Sequence, residues 1–492
     1  MITAKNLSEF LKENLNGKKV IIALQKEPYS HIRTVKGIEV KKSAGGVHVL
    51  IDSVMKQIGG TIVAMASGNA DYEVIDKDGK VKISNDGKSY DLKRIFLKKE
   101  EYDGFYYGFA NQTLWPLFHV VFVKPHFDAK WWQNYIEVNR KFADAIFSEI
   151  GQDDAFIWIN DYHLALLPKM LHELKPTLSI GTFWHIPWPT HEIFRICPWR
   201  KQLIEGLLGS DFISFHRDYH VDNFVNCARR ELGLIVESEP TTIKRYGHET
   251  KLVNLPAGID FDDIRKTLKK YKNITKSRIK KDFGFEYEYL ILGVERIEYT
   301  KGLVERLNIL VNFLEKYPEY HGKLVYLSIS PPSRQKIPAY KQYMREVLDL
   351  ADGINWRFGN GSWQPVRIVM DTFLRERLFT YYRLADVCMV TALDDGMNLV
   401  AKEYVLSCKK DKGMLVLSKF TGAAKDLRRA VLINPYDIEE STHGLFEALK
   451  MDREEKLKRN NEMIQILEEN NIYQWALQFI QNTLRSNEDQ QP

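Results

Sequence analysis

The stretch Val387-Cys-Met-Val-Thr-Ala-Leu-Asp-Asp-Gly-Met-Asn-Leu-Val-Ala-Lys-Glu403 decides the fold. Its first five residues form an apolar run that reads as a buried parallel strand. A glycine-containing turn follows, and then the start of a helix. The first amides of a helix have no partner within it, so a strand end, a turn and a helix start make a corner that attracts oxygen atoms. The pattern places Asp395 at the turn and Glu403 about two helical turns further on. One carboxylate can accept hydrogen bonds from sugar hydroxyls and the other can grip a ribose diol. A helix cap at Asp395 and a solvated Glu403 are the structural alternative.

The same alternation of apolar strands and helical periodicity runs along the whole chain. Val20–Leu24, Phe156–Ile159, Ile180–Trp184 and Phe212–Phe215 read as strands of a first series. Leu290–Val294, Leu324–Ile329, Val387–Thr391, Met414–Leu417 and Val431–Ile433 read as a second. Helical spacing over Asn134–Glu149, Leu164–Leu174, Leu303–Tyr317 and Ala339–Leu350 predicts parallel sheets with right-handed crossovers. The fold class is α/β, with two doubly wound, Rossmann-like domains facing across a cleft and ligands at the carboxyl ends of the strands.

The seam falls at Asn254–Asp260, ahead of the basic stretch Arg265–Lys281. This predicts domains over 1–258 and 259–470 and a final segment, 471–492, whose helix Ile472–Leu484 crosses back to the first domain. The tail Arg485–Pro492 reads as disordered. The polar, turn-rich segment Gly59–Lys99, with Asp78-Gly79 and Asp86-Gly87, reads as hairpins covering one side.

The 492 residues suffice for two or three domains. Apolar (44%) and charged (27%) fractions are those of a globular protein, and a net charge of +5 is too small for a nucleic-acid binder of this length. Cys197, Cys227, Cys388 and Cys408 form no CxxC pair and read as buried thiols in a reducing compartment. No apolar stretch is long enough to span a bilayer, and the N-terminus lacks a leader's apolar core, so a cytoplasmic protein is expected. Asp76-Lys-Asp78 reads as a turn and Asp260-Phe-Asp262 as linker, neither as a metal site. Zinc-ligand spacing, a Walker A motif and GxGxxG are absent from the sequence, and Asp218 and His220 match no nucleophile set.

Gly293-Val-Glu-Arg-Ile-Glu-Tyr-Thr-Lys-Gly302 sets two cations, Arg296 and Lys301, at a strand end, where the pair suits a diphosphate. Solvated loop cations are the alternative. Asp161 and His163 end one strand and His185 ends another, in a loop stiffened by Pro187 and Pro189. Tyr106 and Trp115 can be core or can stack on a sugar. Arg334, in Ser330-Pro-Pro-Ser-Arg334, can bind a second anion, and Ser43-Ala-Gly-Gly46 lets backbone approach a ligand.

Together these motifs resemble the trehalose-6-phosphate synthases and the related glucosylglycerol-phosphate synthases, retaining glycosyltransferases of the GT-B fold. The resemblance extends from about Val20 to about Leu484 and rests on four runs. They are Asp161-Tyr-His163, His185-Ile-Pro-Trp-Pro189, Glu295-Arg-Ile-Glu-Tyr-Thr-Lys-Gly302 and Asp395-Gly-Met-Asn-Leu-Val-Ala-Lys-Glu403. It implies an enzyme that takes UDP-glucose as donor and glucose 6-phosphate as acceptor, with no metal and no cofactor. Arg296 and Lys301 would hold the donor diphosphate, with Asp395 and His185 on the transferred glucose, and these four are the catalytic set. Glu403 would hold the ribose, with Gly46 and Gly396, Met397, Asn398, Leu399 and Val400 also lining the donor. Lys26, Tyr106, Trp115, Asp161 and Arg334 would receive the acceptor.

The sequence departs from the pattern at Lys26, where the family usually carries Arg, at Ala66, where it carries Trp, and at Asp394, where it carries Arg. Glu27-Pro-Tyr29, Cys197-Pro-Trp-Arg-Lys201 and Tyr473-Gln-Trp475 look like the glucosylglycerol-phosphate branch, whereas Ser43–Gly46 and Ser333-Arg334 look like the trehalose branch. Glycerol 3-phosphate is therefore the alternative acceptor. A non-catalytic regulatory protein that binds sugar phosphates is the alternative of another class. Neither nucleic acid nor a membrane is an expected partner, and a homo-oligomer is left open.

Overall fold

A computed structural model describes residues 2–15, 17–43, 46–85, 87–238, 241–245, 247–271 and 274–488. The chain divides into two compact units. Unit 1 holds the residues up to Gly258 together with the segment from Asn471 onward, and unit 2 holds Ile259–Asn470.

Unit 1 is built on strands β1 (Lys19–Lys26), β4 (Thr61–Met65), β5 (Lys80–Asn85), β6 (Lys88–Ile95), β7 (Ala155–Asn160), β8 (Ser179–Trp184), β9 (Phe212–Phe215), β10 (Val236–Ser238), β11 (Thr241–Arg245) and β12 (His248–Asn254). Their order is β10-β11-β12-β9-β8-β7-β1-β4-β6-β5. From β12 to β6 every pairing is parallel, while β5, β10 and β11 join antiparallel at the two edges. The central strands β4, β7 and β8 are buried along their whole length, as sheets covered on both faces require. A separate hairpin pairs β2 (Tyr29–Thr34) with β3 (Gly37–Lys42).

Unit 2 holds β13 (Tyr289–Val294), β14 (Leu324–Ile329), β15 (Val366–Val369), β16 (Val387–Val390), β17 (Met414–Ser418) and β18 (Val431–Ile433). The order β15-β14-β13-β16-β17-β18 is parallel throughout. Numbered within the unit, this is 3-2-1-4-5-6, the doubly wound order whose ligands sit where the winding reverses. The reversal lies between β13 and β16. In unit 1 the corresponding reversal lies between β1 and β7.

The helix Ile472–Glu488 belongs to unit 1 and packs on β8 and β9. Phe479 stacks on Trp158 at 4.3 Å, and Trp475 meets the rings of Trp158 and Phe183. A Cβ at Gly181 of β8 would lie 2.4 Å from Thr483 Oγ1, so the helix needs a glycine beneath it.

Two readings from sequence are corrected. Gly59–Lys99 is not a set of covering hairpins. It supplies β4 and β6 to the parallel sheet and a single hairpin, β5–β6, at its edge. β5 and β6 carry many polar residues, and β4, though apolar and buried, is only five residues long, so the segment as a whole reads as polar and turn-rich. Asp86 of that turn lies outside the described residues, as do residues 489–492 of the expected disordered tail. Residues 485–488 continue the last helix. The two Asp-x-Asp triplets act structurally. Asp76 Oδ1 accepts the amides of Asp78 and Lys80, and Asp260 caps the helix Phe261–Lys270 through the amide of Asp263.

Candidate active site

At the reversal point of unit 2, the loop after β13 delivers Arg296 and Lys301 and the loop after β16 delivers Asp395. Lys301 Nζ lies 2.7 Å from Asp395 Oδ2, and both side chains are 16% exposed. The same carboxylate accepts the Asn398 side-chain amide at 3.1 Å and the Met397 backbone amide at 3.4 Å. Asp395 is therefore not the helix cap. That role falls to Asn398, whose side chain accepts the Ala401 amide at the start of the helix Leu399–Ser407. Leu399 and Val400 occupy the first turn of this helix, where amides lack intrahelical partners.

The loops are locked to their neighbours. Asp395 N donates to Phe420 O, Gly422 N to Asp395 O and Ala423 N to Met397 O. A Cβ at Gly422 would fall 1.9 Å from Gly396 O. Gly302 closes the lysine loop at φ +62°. A Cβ there would meet Thr391 O at 2.1 Å, so conformation and space both demand glycine.

A buried layer of ion pairs supports these residues. Arg306, 1% exposed, makes a two-pronged bridge to Glu295 at 2.5 and 2.9 Å and donates to Thr391 Oγ1 and Tyr326 Oη. It thereby ties together the ends of β13 and β16 and the side chain of Tyr326 on β14. The carboxylate and the phenol hold its guanidinium charged, outweighing burial. Glu298 is fully buried and faces Arg296 at 3.2 Å and Arg334 at 3.7 Å. Glu403 accepts from Arg375 Nε at 2.9 Å, and Arg375 also reaches Asp263 at 2.8 Å.

Unit 1 has a different character. A β-bulge near the end of β1 sets Lys26 exposed at the strand's carboxyl end. Asp161 follows β7 at φ +70°, and its Oδ1 accepts the His185 amide at 3.1 Å. His185 Nε2 pairs with Asn160 Oδ1 at 3.1 Å. Burial, helped by the nearby His48, pushes the His185 pKa down to about 3, so the ring is neutral at neutral pH. Asp161 and His185 thus meet within unit 1, as Lys301 and Asp395 do within unit 2.

Tyr106 lies within, and Trp115 directly follows, a π-helical segment, Asp103–Leu114, that sequence reading did not anticipate. Tyr106 stacks on His163 with an interplanar angle of 11°, and Trp115 is 7% exposed against His119 and Tyr162. Gly46 is exposed and opens the helix Gly46–Ile58, while Ala44 and Gly45 of its turn lie outside the described residues.

Four non-glycine residues among those described have positive φ: Phe122, Asp161, Arg334 and Asn398. Three of them are site residues named from sequence. Strained backbone concentrates where a side chain must be aimed. Arg306, Arg375 and the double contact of Glu298 were missed. A signal existed for Arg306, a charge on the same helical face as Leu303, Leu307 and Leu310, all buried. Among the described residues, no group of three or more His, Cys, Asp or Glu is placed to hold a metal ion. No helix of the described residues is long and apolar enough to cross a membrane.

Residues 17–485 match the profile of glycosyltransferase family 20. The chain is 35% identical over 449 residues to the trehalose-6-phosphate synthase of Mycobacterium sp. (strain KMS), covering 89% of each chain. It is 34% identical over 405 residues to alpha,alpha-trehalose-phosphate synthase [UDP-forming] A of Dictyostelium discoideum, covering 82% of this chain and 55% of that longer protein. Among solved structures it resembles the E. coli trehalose-6-phosphate protein bound with UDP-2-fluoro glucose. The TM-score is 0.83 at 31% identity, over 95% of this chain and 99% of the other. It resembles equally the alpha,alpha-trehalose-phosphate synthase (UDP-forming) of Burkholderia xenovorans in complex with glucose-6-phosphate. There the TM-score is 0.83 at 29% identity, over 94% and 100% of the two chains.

Proposed function

The chain belongs to glycosyltransferase family 20 and has its GT-B fold of two Rossmann-like domains, and from that premise we propose that it transfers glucose from UDP-glucose to glucose 6-phosphate, forming trehalose 6-phosphate. The observation that carries the reading is the contact of Lys301 with Asp395 where the winding of unit 2 reverses, with Arg296 on the same loop as Lys301.

Unit 2 takes the donor. Arg296 offers a forked guanidinium and Lys301 a compact charge to the diphosphate. Asp395, held by Lys301 and Asn398, accepts from hydroxyls of the transferred glucose. Glu403, oriented by Arg375, takes the ribose diol. Gly46, Gly396, Met397 and the first-turn residues Leu399 and Val400 line the donor. Unit 1 supplies Lys26, Tyr106, Trp115 and Asp161 to the acceptor, and Arg334 of unit 2 takes its phosphate. His185, being neutral with its Nε2–H directed at Asn160 Oδ1, offers the glucose an accepting ring nitrogen and no charge.

The bond from the anomeric carbon to the diphosphate breaks as the bond to the acceptor hydroxyl oxygen forms on the same face. The hydroxyl proton passes to the departing phosphate oxygen, UDP leaves, and configuration is retained. Negative charge grows on the diphosphate along this path. Arg296 and Lys301 thus act more strongly on the transition state than on the bound donor. The four cysteines are free and buried, which fits a reducing cytoplasm.

The test is UDP release from UDP-glucose with glucose 6-phosphate or glycerol 3-phosphate as acceptor. Turnover with glucose 6-phosphate, giving trehalose 6-phosphate, is expected. Turnover confined to glycerol 3-phosphate would reassign the acceptor, to which Lys26 and Ala66 lend some support. Tight UDP binding without turnover on either acceptor would make the chain a sensor and not an enzyme.

A further inference from the structure

The two arginines assigned to different substrates share one carboxylate. Glu298 is fully buried, with Oε2 3.2 Å from Arg296 and Oε1 3.7 Å from Arg334. Thr300 Oγ1 donates to Oε1 at 3.0 Å and fixes the carboxylate plane. The Arg334 guanidinium also donates to the buried Tyr340 hydroxyl and lies over its ring. The backbone keeps the two arginine loops in step. Ile297 N donates to Pro331 O at 3.0 Å, and Ile297 forms an isolated parallel bridge with Pro332. Arg334 itself sits at φ +46°, a conformation that a non-glycine residue seldom adopts unless its surroundings impose it.

A carboxylate without exposure persists only if cations repay its lost hydration. Here two do, and the repulsion between them is cancelled by the charge they share. Arg296 is 48% exposed and can turn toward solvent, whereas Arg334 is 5% exposed.

We infer that Glu298 is a positioning residue that couples the two substrates: an anion that fixes Arg296 also fixes Glu298 and, through it, Arg334. The second anion then meets a guanidinium already in place and bears less of the ordering cost. The inference rests on the assignment of Arg296 to the donor diphosphate and Arg334 to the acceptor phosphate.

Calorimetric titration of the full chain with UDP and glucose 6-phosphate tests it. In the unaltered protein, saturating UDP should tighten glucose 6-phosphate binding by about fivefold or more, and glucose 6-phosphate should tighten UDP binding by the same factor. In Glu298→Gln the factor should fall to about one, and Glu298→Asp should restore part of it. A purely structural role for Glu298 would weaken single-ligand binding or thermal stability and leave the factor alone. An intact factor in Glu298→Gln, or none in the unaltered protein, overturns the inference. If Glu298→Gln does not fold, Thr300→Val gives the same reading on a smaller scale, and an unchanged factor there overturns the inference equally. Separate arms test the premise. Arg296→Ala should weaken UDP alone, and Arg334→Ala should weaken glucose 6-phosphate alone. If either variant leaves its own ligand unaffected, the assignment has failed and not the link between the two.

Discussion

Each unit buries a glutamate–arginine bridge at the carboxyl end of its first strand, and the two bridges are built differently. In unit 2, Glu295 and Arg306 meet one to one, with Thr391 and Tyr326 taking two further guanidinium protons. In unit 1, Arg94 faces two carboxylates, Glu27 at 2.7 Å and Asp71 at 3.0 Å, and none of the three side chains is exposed. One guanidinium cannot hold two buried carboxylates ionised. Burial, and then the hydrogen bond and charge of Asp71, raise Glu27 to about 7. Asp71 stays below its usual range. Burial opposes its ionisation, but hydrogen bonds from Glu27 and from the amides of His31 and Gly68 outweigh that. Charge count, not burial alone, makes one bridge a fixed brace and the other a proton-sharing cluster.

The largest effect should come from unbalancing the brace. Glu295→Gln leaves Arg306 buried without its counter-charge, and the expected loss of stability is about 3–5 kcal/mol. Thermal unfolding checks it, and a loss under about 1 kcal/mol would show that the bridge of unit 2 is no better balanced than that of unit 1. The next effect is catalytic. Arg296→Ala should lower kcat by on the order of 100-fold or more, as for other preorganised charges facing a leaving group. An arginine does not titrate near neutrality, so the deficit should be flat from about pH 6 to about pH 8. Near-normal turnover, or a deficit that follows pH, contradicts the picture of unit 2 as the half with permanent charges. Smaller again, Arg334→Ala should raise the acceptor KM by roughly tenfold, the worth of a charged hydrogen bond, with kcat little changed and any rise in donor KM no larger than the coupling factor lost with Arg334. A change confined to the donor would move Arg334 out of the acceptor's reach.

Wholly buried strands were legible except β4, which is buried throughout but sits in the turn-rich segment read as hairpins. β7, β8, β14 and β17 are wholly buried, mostly apolar runs bounded by turns, and the order in which strands and helices alternate leaves few windings open. β3 was not legible, because all its residues are exposed and no buried face imposes a pattern. The residues at strand ends could be named, since a strand-to-helix corner announces itself in sequence. Their partners could not. Arg306 reaches Thr391 across 85 positions and Arg375 reaches Glu403 across 28, separations that only the winding of the sheet brings together. Chemistry presented at a turn is local information, whereas the pairing that aims it is not.

The finest test lies in the overloaded cluster of unit 1. Glu27 has a folded pKa of about 7 against an ordinary value of 4.5. Between those values the folded state holds more protons than the unfolded one, so stability falls as pH rises. The contribution is complete below about pH 4.5 and lost as pH passes about 7. Other groups facing Glu27 do not mimic this. Asp71 titrates below its usual range, and His31 is pushed down by burial and then by Arg94. His185 runs the other way. Its folded value of about 3 lies below the ordinary 6.5, so its contribution is present above pH 6.5 and lost as pH falls toward 3. Glu27→Gln keeps the shape of the protonated acid and removes the titration. At pH 7 it should change stability by less than about 1 kcal/mol, since the acid it replaces is about half protonated there. At pH 8 the variant should gain on the unaltered protein, and at pH 5 it should fall behind. A variant uniformly less stable across that range would mean that Glu27 is ionised throughout and that the two bridges are alike.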